Sequence, residues 1–186
     1  MDFVQLILLK FNHFISDPKT LEWIVGNRFL MILIVIVLLK LKYSTYSSLW
    51  LSALINIPGT MLHETMHFIV GLSMNAHPTS YDLFPKKDQY GNYVMGSVSF
   101  RNITSYNALP AALAPLFLLP IGYYLNIWYF ENMNITFFNY IIYILLQTII
   151  IENAVPSSTD FKVAFSYPIG LIIYGFIAIF SIIYII

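Results

Sequence analysis

Residues 29–39 read Phe-Leu-Met-Ile-Leu-Ile-Val-Ile-Val-Leu-Leu, without one polar side chain. A run of this kind needs to be buried, either in protein or in lipid. Comparable apolar runs recur along the chain to its last residue. Of the 186 residues, 59% are hydrophobic and only 10% are charged. Ordinary soluble domains carry about 25% charge, so polar side chains are too few to cover a water-facing surface. The expected fold class is an all-α polytopic membrane protein. About five transmembrane helices are expected, near 24–39, 46–72, 108–130, 135–151 and 165–186.

The whole chain, 1–186, reads as one membrane-embedded domain. Residues 1–23 form an amphipathic segment too short to span, suited to the membrane interface or to packing against the helix bundle. They lack the basic start and small-residue cleavage site of a signal peptide. Residues 73–107 are the long polar stretch. A small membrane-associated β-hairpin or sheet is expected there, between spans two and three. Its strands fall near 78–84 and 93–100, with a turn near 85–88 and Gly91-Asn92 in the connection.

Charge excludes some functions. The formal net charge is zero and there is no basic stripe, so no nucleic-acid partner is expected. Cysteine is absent, which excludes disulfides and thiolate metal sites. On a five-span threading, Lys10, Lys19, Arg28, Lys86, Lys87, Arg101 and Lys162 share one side, against Lys40 and Lys42 on the other. The positive-inside rule then places the N-terminus in the cytoplasm. His63 and Asp160 fall on that same side.

The strongest chemical signal is His63-Glu64-Thr65-Met66-His67. Residues four apart share one face of an α-helix. Both imidazoles can therefore reach one zinc ion, with Glu64 beside it as general base toward an attacking water. The pattern fixes few positions and arises by chance in many soluble chains. Here it lies in an apolar run, where ionisable groups without a role are penalised. Asn56, Thr60, His63 and His67 share a helical face, and Pro58 and Gly59 precede the motif.

Two histidines do not complete a zinc site, so a third ligand must come from elsewhere. Asp160 is the first choice. It follows the polar break Pro156-Ser157-Ser158-Thr159, where Ser157 or Ser158 can cap the helix that carries it. Glu152 and His77 are the alternatives. Asp82 and Asp88 read as solvated loop charges, and His13 as interfacial.

These residues resemble the site-2-protease group of intramembrane zinc metalloproteases. The resemblance rests on His63-Glu64-x-x-His67 in an apolar helix, Ala114-Pro115 between the motifs, and the distal Asp160. It covers about 46–165, which would be the protease core. The distal segment reads Pro-Ser-Ser-Thr-Asp where the group often reads Asn-Pro-x-Asp-Gly or Leu-Asp-Gly. The resemblance implies zinc held by His63, His67 and Asp160, with Glu64 as base. It implies cleavage of membrane-anchored protein or peptide substrates, at a site toward the cytoplasmic side. It also implies a hairpin, here 78–100, that guides an unwound substrate strand. Asn139 and Asn153 are the candidate oxyanion or substrate contacts. No PDZ-like module is visible, so the chain would act without a separate substrate filter or with one supplied by an adaptor.

Two other functions compete with endopeptidase. One is a non-catalytic zinc-binding or regulatory membrane protein, which a fourth protein ligand such as His77 or Glu152 would favour. The other is an ion transporter, disfavoured because the remaining spans offer no relay of ionisable side chains.

Overall fold

Short polar residues set the helix boundaries along the chain. A computed structural model describes residues 3–87, 91 and 93–185. The chain opens with α1 (Phe3–Ser16), α2 (Pro18–Gly26) and α3 (Arg28–Ser44). Asp17 caps α2 by accepting the Thr20 N–H at 3.0 Å, and Pro18 opens that helix. Asn27 both ends α2 and caps α3, accepting the Leu30 N–H at 3.1 Å. The apolar run near 24–39 is therefore two helices joined at an asparagine. Ser48 caps the long helix α4 (Leu49–Ser73), which runs through Pro58.

The polar stretch folds as two nested antiparallel pairs, β1 (Pro78–Asp82) with β4 (Ser97–Phe100) and β2 (Lys86–Lys87) with β3 (Tyr93–Val94). Strands are present where the hairpin was expected, but Lys86 and Lys87, expected in its turn, are strand and pair with Val94 and Tyr93. Asp88 and Asn92 lie outside the described residues. The sheet lies along α4. The Tyr81 hydroxyl donates to the Met61 carbonyl at 3.2 Å and meets Thr65 Oγ1 at 3.0 Å. Its ring stands edge-on to Phe68.

Prolines divide 108–130 into α5 (Ala108–Ala112), a 3₁₀ turn (Ala114–Phe117) and α6 (Leu118–Asn132). Pro110, Pro115 and Pro120 each fall in the first turn of their piece, where the missing N–H has no helical partner to lose. Thr136 caps α7 (Phe137–Asn153). After a 41° bend comes α8 (Ser158–Phe165), and α9 (Pro168–Ile185) ends the described chain.

The expectation of about five spanning helices is not met. Among the described residues, only Leu30–Ser47 is long and apolar enough to cross a membrane. Phe137–Asn153 and Ser158–Phe165 qualify only if the bent pair is taken as one broken span. The physical reasons are local. Prolines cut 108–130 into short pieces. Polar residues interrupt 46–72. The apolar part of α9, Pro168–Tyr184, falls short of about 20 residues. An ion pair argues the same way. Lys42 Nζ lies 2.7 Å from Glu152 Oε2, whereas the five-span threading puts these residues on opposite sides of a hydrocarbon layer about 30 Å thick. The count of basic residues per side rests on that threading and gives no orientation without it. The fold is mostly helical, 75%, with the two small sheets.

Two buried clusters hold the helices together. One joins Ile24, Tyr129, Tyr140, Tyr143 and Ile144, with Ile34 and Leu38 of α3 packed against it. The other joins Leu118, Ile150 and Ala154 to Leu62 and Met66 of α4. In the first, Tyr129 stacks on Tyr143 with centroids 4.4 Å apart, and the Tyr143 hydroxyl donates to Asn126 Oδ1. The Tyr129 hydroxyl is buried and finds no partner among the described residues. An unpaired buried hydroxyl costs about 1–3 kcal/mol. Tyr129→Phe keeps the ring and removes the orphan, so it is expected to stabilise the protein by about 1 kcal/mol. Thermal melting in detergent checks this, and a lowered midpoint would show that the hydroxyl has a partner.

Candidate metal centre

Helix α4 places His63 and His67 one turn apart on one face, as the motif spacing requires. Their Nε2 atoms lie 3.2 Å from each other. Asp160, from α8, completes a triangle, with Oδ2 at 3.5 Å from His63 Nε2 and Oδ1 at 3.4 Å from His67 Nε2. Among the described residues, His63, His67 and Asp160 are the one group of three ligating side chains close enough to share an ion.

The other ring nitrogens fix the chemistry of these. His63 Nδ1 lies 2.8 Å from the Asn153 carbonyl, and His67 Nδ1 lies 2.7 Å from the Ala111 carbonyl. A carbonyl only accepts, so both Nδ1 atoms carry the hydrogen and donate it. In the neutral imidazoles, both Nε2 atoms then present lone pairs. With both rings neutral, two lone pairs and a carboxylate converge with no hydrogen between them. A proton on one ring could serve only part of the triangle. Charge-assisted hydrogen bonds also run about 2.7–2.9 Å, shorter than the carboxylate contacts here. A tetrahedral ion with ligands at about 2.0–2.2 Å separates its ligand atoms by about 3.3–3.6 Å. The residues therefore fit zinc better than they fit a shared proton. Imidazoles tied to carbonyls through the far nitrogen are also the usual outer support of such ligands.

Asp160 is held from its own helix. Ser157 Oγ accepts the Asp160 N–H at 3.2 Å, while Asp160 Oδ2 accepts the Ser157 N–H at 2.7 Å. This reciprocal capping box fixes the start of α8 and orients the carboxylate. Of the two serines expected to cap, it is Ser157 that does so.

Glu64 is 7% exposed and lies next in sequence to His63. No described residue donates a hydrogen bond to its carboxylate. Its cover is Gly96, in the link between β3 and β4. A Cβ built at Gly96 would come within 2.9 Å of Glu64 Oε1. Only glycine lets the sheet sit this close over the acid. On the opposite side, a Cβ at Gly59 would stand 2.6 Å from Asn153 Cγ, so glycine also sets the approach of α4 to α7.

The remaining candidates lie elsewhere. Glu152 pairs with Lys42. His77 is exposed in the turn before β1, with positive φ, and its carbonyl accepts the Arg101 N–H. Asn139 is at the far end of α7 from Asn153, donating to the Asn134 carbonyl. The Asn153 side chain is committed to the Ile149 carbonyl, and the functional part of Asn153 is its backbone oxygen. Asn56 and Thr60 share the histidine face by spacing but do other work. Asn56 donates to the Ser52 carbonyl, and Thr60 lies under Gly96.

Three features have no motif in the sequence: the two supporting carbonyls, the Gly96 cover and the Lys42–Glu152 pair. The one trace is the small-residue run Ala111-Ala112-Leu113-Ala114. Its alanines are buried and let backbone come within reach of His67. No family profile, no curated protein and no solved structure matches this chain.

Proposed function

We propose that the chain is a membrane-bound, zinc-dependent endopeptidase acting on membrane-associated proteins or peptides, after the manner of the site-2-protease group. One observation carries this reading. Two imidazole lone pairs and a carboxylate converge at 3.2–3.5 Å beside a buried glutamate that has no hydrogen-bond partner among the described residues. His63, His67 and Asp160 would hold the ion. Zinc bound there supplies Lewis acidity, polarising a carbonyl and making water a nucleophile near neutral pH. Glu64 is the proton carrier. It accepts a proton from the attacking water and delivers it to the departing amide nitrogen. The Asn153 and Ala111 carbonyls hold the two rings in the tautomer that leaves Nε2 free. The sheet over Glu64 offers edge backbone to an extended substrate segment.

Membrane association is supported by the surface. In α9, Ile169, Ile172, Phe176, Ile179 and Phe180 are all more than half exposed. In α1, so are Phe3, Val4, Leu8, Leu9 and Phe14, apart from the few polar positions. Contiguous apolar surface on this scale exceeds what soluble monomers leave uncovered. Lipid is the cover we assign to it.

The test is cleavage of labelled membrane-anchored peptides by the protein purified in detergent. A strong zinc chelator is expected to abolish cleavage, and added zinc to restore it. Cleavage that continues undiminished in chelator would remove the metalloprotease reading.

A further inference from the structure

We propose that the Lys42–Glu152 ion pair is a positioning element of the metal centre. It holds the corner between α7 and α8 from which the Asn153 carbonyl and the Asp160 carboxylate reach the two histidines. The inference rests on the zinc reading above.

The pair is short, 2.7 Å, and both side chains are mostly shielded, at 16% and 23% exposure. Glu152 stands in the last turn of α7, where the helix end already carries partial negative charge. A carboxylate is disfavoured there unless a cation from outside the helix compensates it. Lys42, from the last turn of α3, is that cation. The apolar packing of α3 on α7 is centred on Tyr140 and Ile144, toward the other end of α7. Near Glu152 it lapses into a cavity of about 470 Å³, lined by Leu38, Leu54, Ile55, Pro58 and Leu145 among others. The ion pair bridges α3 and α7 where side-chain packing does not.

What lies beyond Glu152 is the metal site. The next residue, Asn153, gives its carbonyl to His63 Nδ1 and packs its side chain on Gly59. The chain then bends by 41° into α8, where the Ser157 box orients Asp160. A shift of the α7 end therefore displaces one ligand directly and loosens the support of another. Neither Lys42 nor Glu152 touches the ion, so their role is positional.

The test is zinc affinity by chelator competition on the detergent-purified full chain, with the cobalt(II) absorption spectrum as a second readout. Glu152→Gln and Lys42→Met are each expected to weaken zinc binding by about 10–100-fold, the range typical of outer support around a metal. They should also alter the cobalt ligand-field bands. The reversed pair, Lys42→Glu with Glu152→Lys, is expected to recover most of the affinity. A purely structural tie would lower the melting midpoint and leave affinity and spectrum at wild-type values, and that outcome overturns the proposal. If a single variant does not fold, the reversed pair decides. Affinity near wild type supports the positioning role, and affinity lost in a folded reversed pair overturns it. A wild-type protein that takes up no zinc removes the metal reading, and this inference with it.

Discussion

Replacing Glu64 with glutamine is expected to leave zinc bound and to cut peptide cleavage by about 10²–10⁴-fold, the usual worth of a positioned acid–base group. Glutamine has nearly the same shape, so the contact with Gly96 survives. It cannot take a proton from water, so the chemical step fails. Glu64 is not part of the ligand triangle, which consists of His63, His67 and Asp160. Metal content should therefore be unchanged, and the pairing of an intact centre with lost turnover is the signature to look for. Stability should hold or rise, because an acid that is 7% exposed and has no hydrogen-bond donor among the described residues gains little from its charge in the resting protein. Single-turnover cleavage alongside metal analysis checks both halves. Turnover at the wild-type rate would mean that Glu64 is not the base.

Asp160 does two jobs, and two substitutions separate them. Asp160→Ala removes a ligand and breaks the capping box with Ser157. It is expected to weaken zinc by more than the about 10–100-fold typical of outer-shell changes. The Ser157 Oγ bond to the backbone N–H of residue 160 survives, while the Ser157 N–H loses its acceptor, a stability cost of about 1 kcal/mol. Asp160→Asn keeps an oxygen that can accept the Ser157 N–H, so α8 should start in the same place. It lacks the negative charge that two neutral imidazoles leave for the third ligand to supply. The expected result is a melting midpoint close to wild type with zinc affinity sharply reduced. Zinc bound as tightly by Asp160→Asn as by wild type would place the third ligand elsewhere.

The parts of this site that were legible in the sequence are those fixed by local geometry. Helical spacing alone puts His63 and His67 on one face, and a capping signal alone orients a short helix bearing Asp160. Both hold in three dimensions. The polar stretch showed its strands through alternation, but Lys86 and Lys87, expected in the turn, pair with Val94 and Tyr93 instead. The illegible parts depend on which backbone comes near which side chain. Any residue can offer a carbonyl, so nothing in the identity of Asn153 or Ala111 marks its oxygen as a partner for imidazole. Span counting failed for a related reason. Hydropathy measures how apolar a stretch is. It does not show that three prolines break 108–130 into three pieces, or that the chain bends by 41° between Phe137–Asn153 and Ser158–Phe165. The Lys42–Glu152 pair then closes a distance that the threading by charge had set at the thickness of a bilayer.

The central claim is that the two imidazoles and the carboxylate share a metal ion. X-ray absorption at the zinc edge on the purified full chain, with metal content measured on the same sample, tests it most directly. The account predicts about one zinc per chain, with two imidazole nitrogens near 2.0–2.1 Å and oxygen completing the shell. Absence of zinc after reconstitution, or zinc whose shell contains no imidazole, would contradict it.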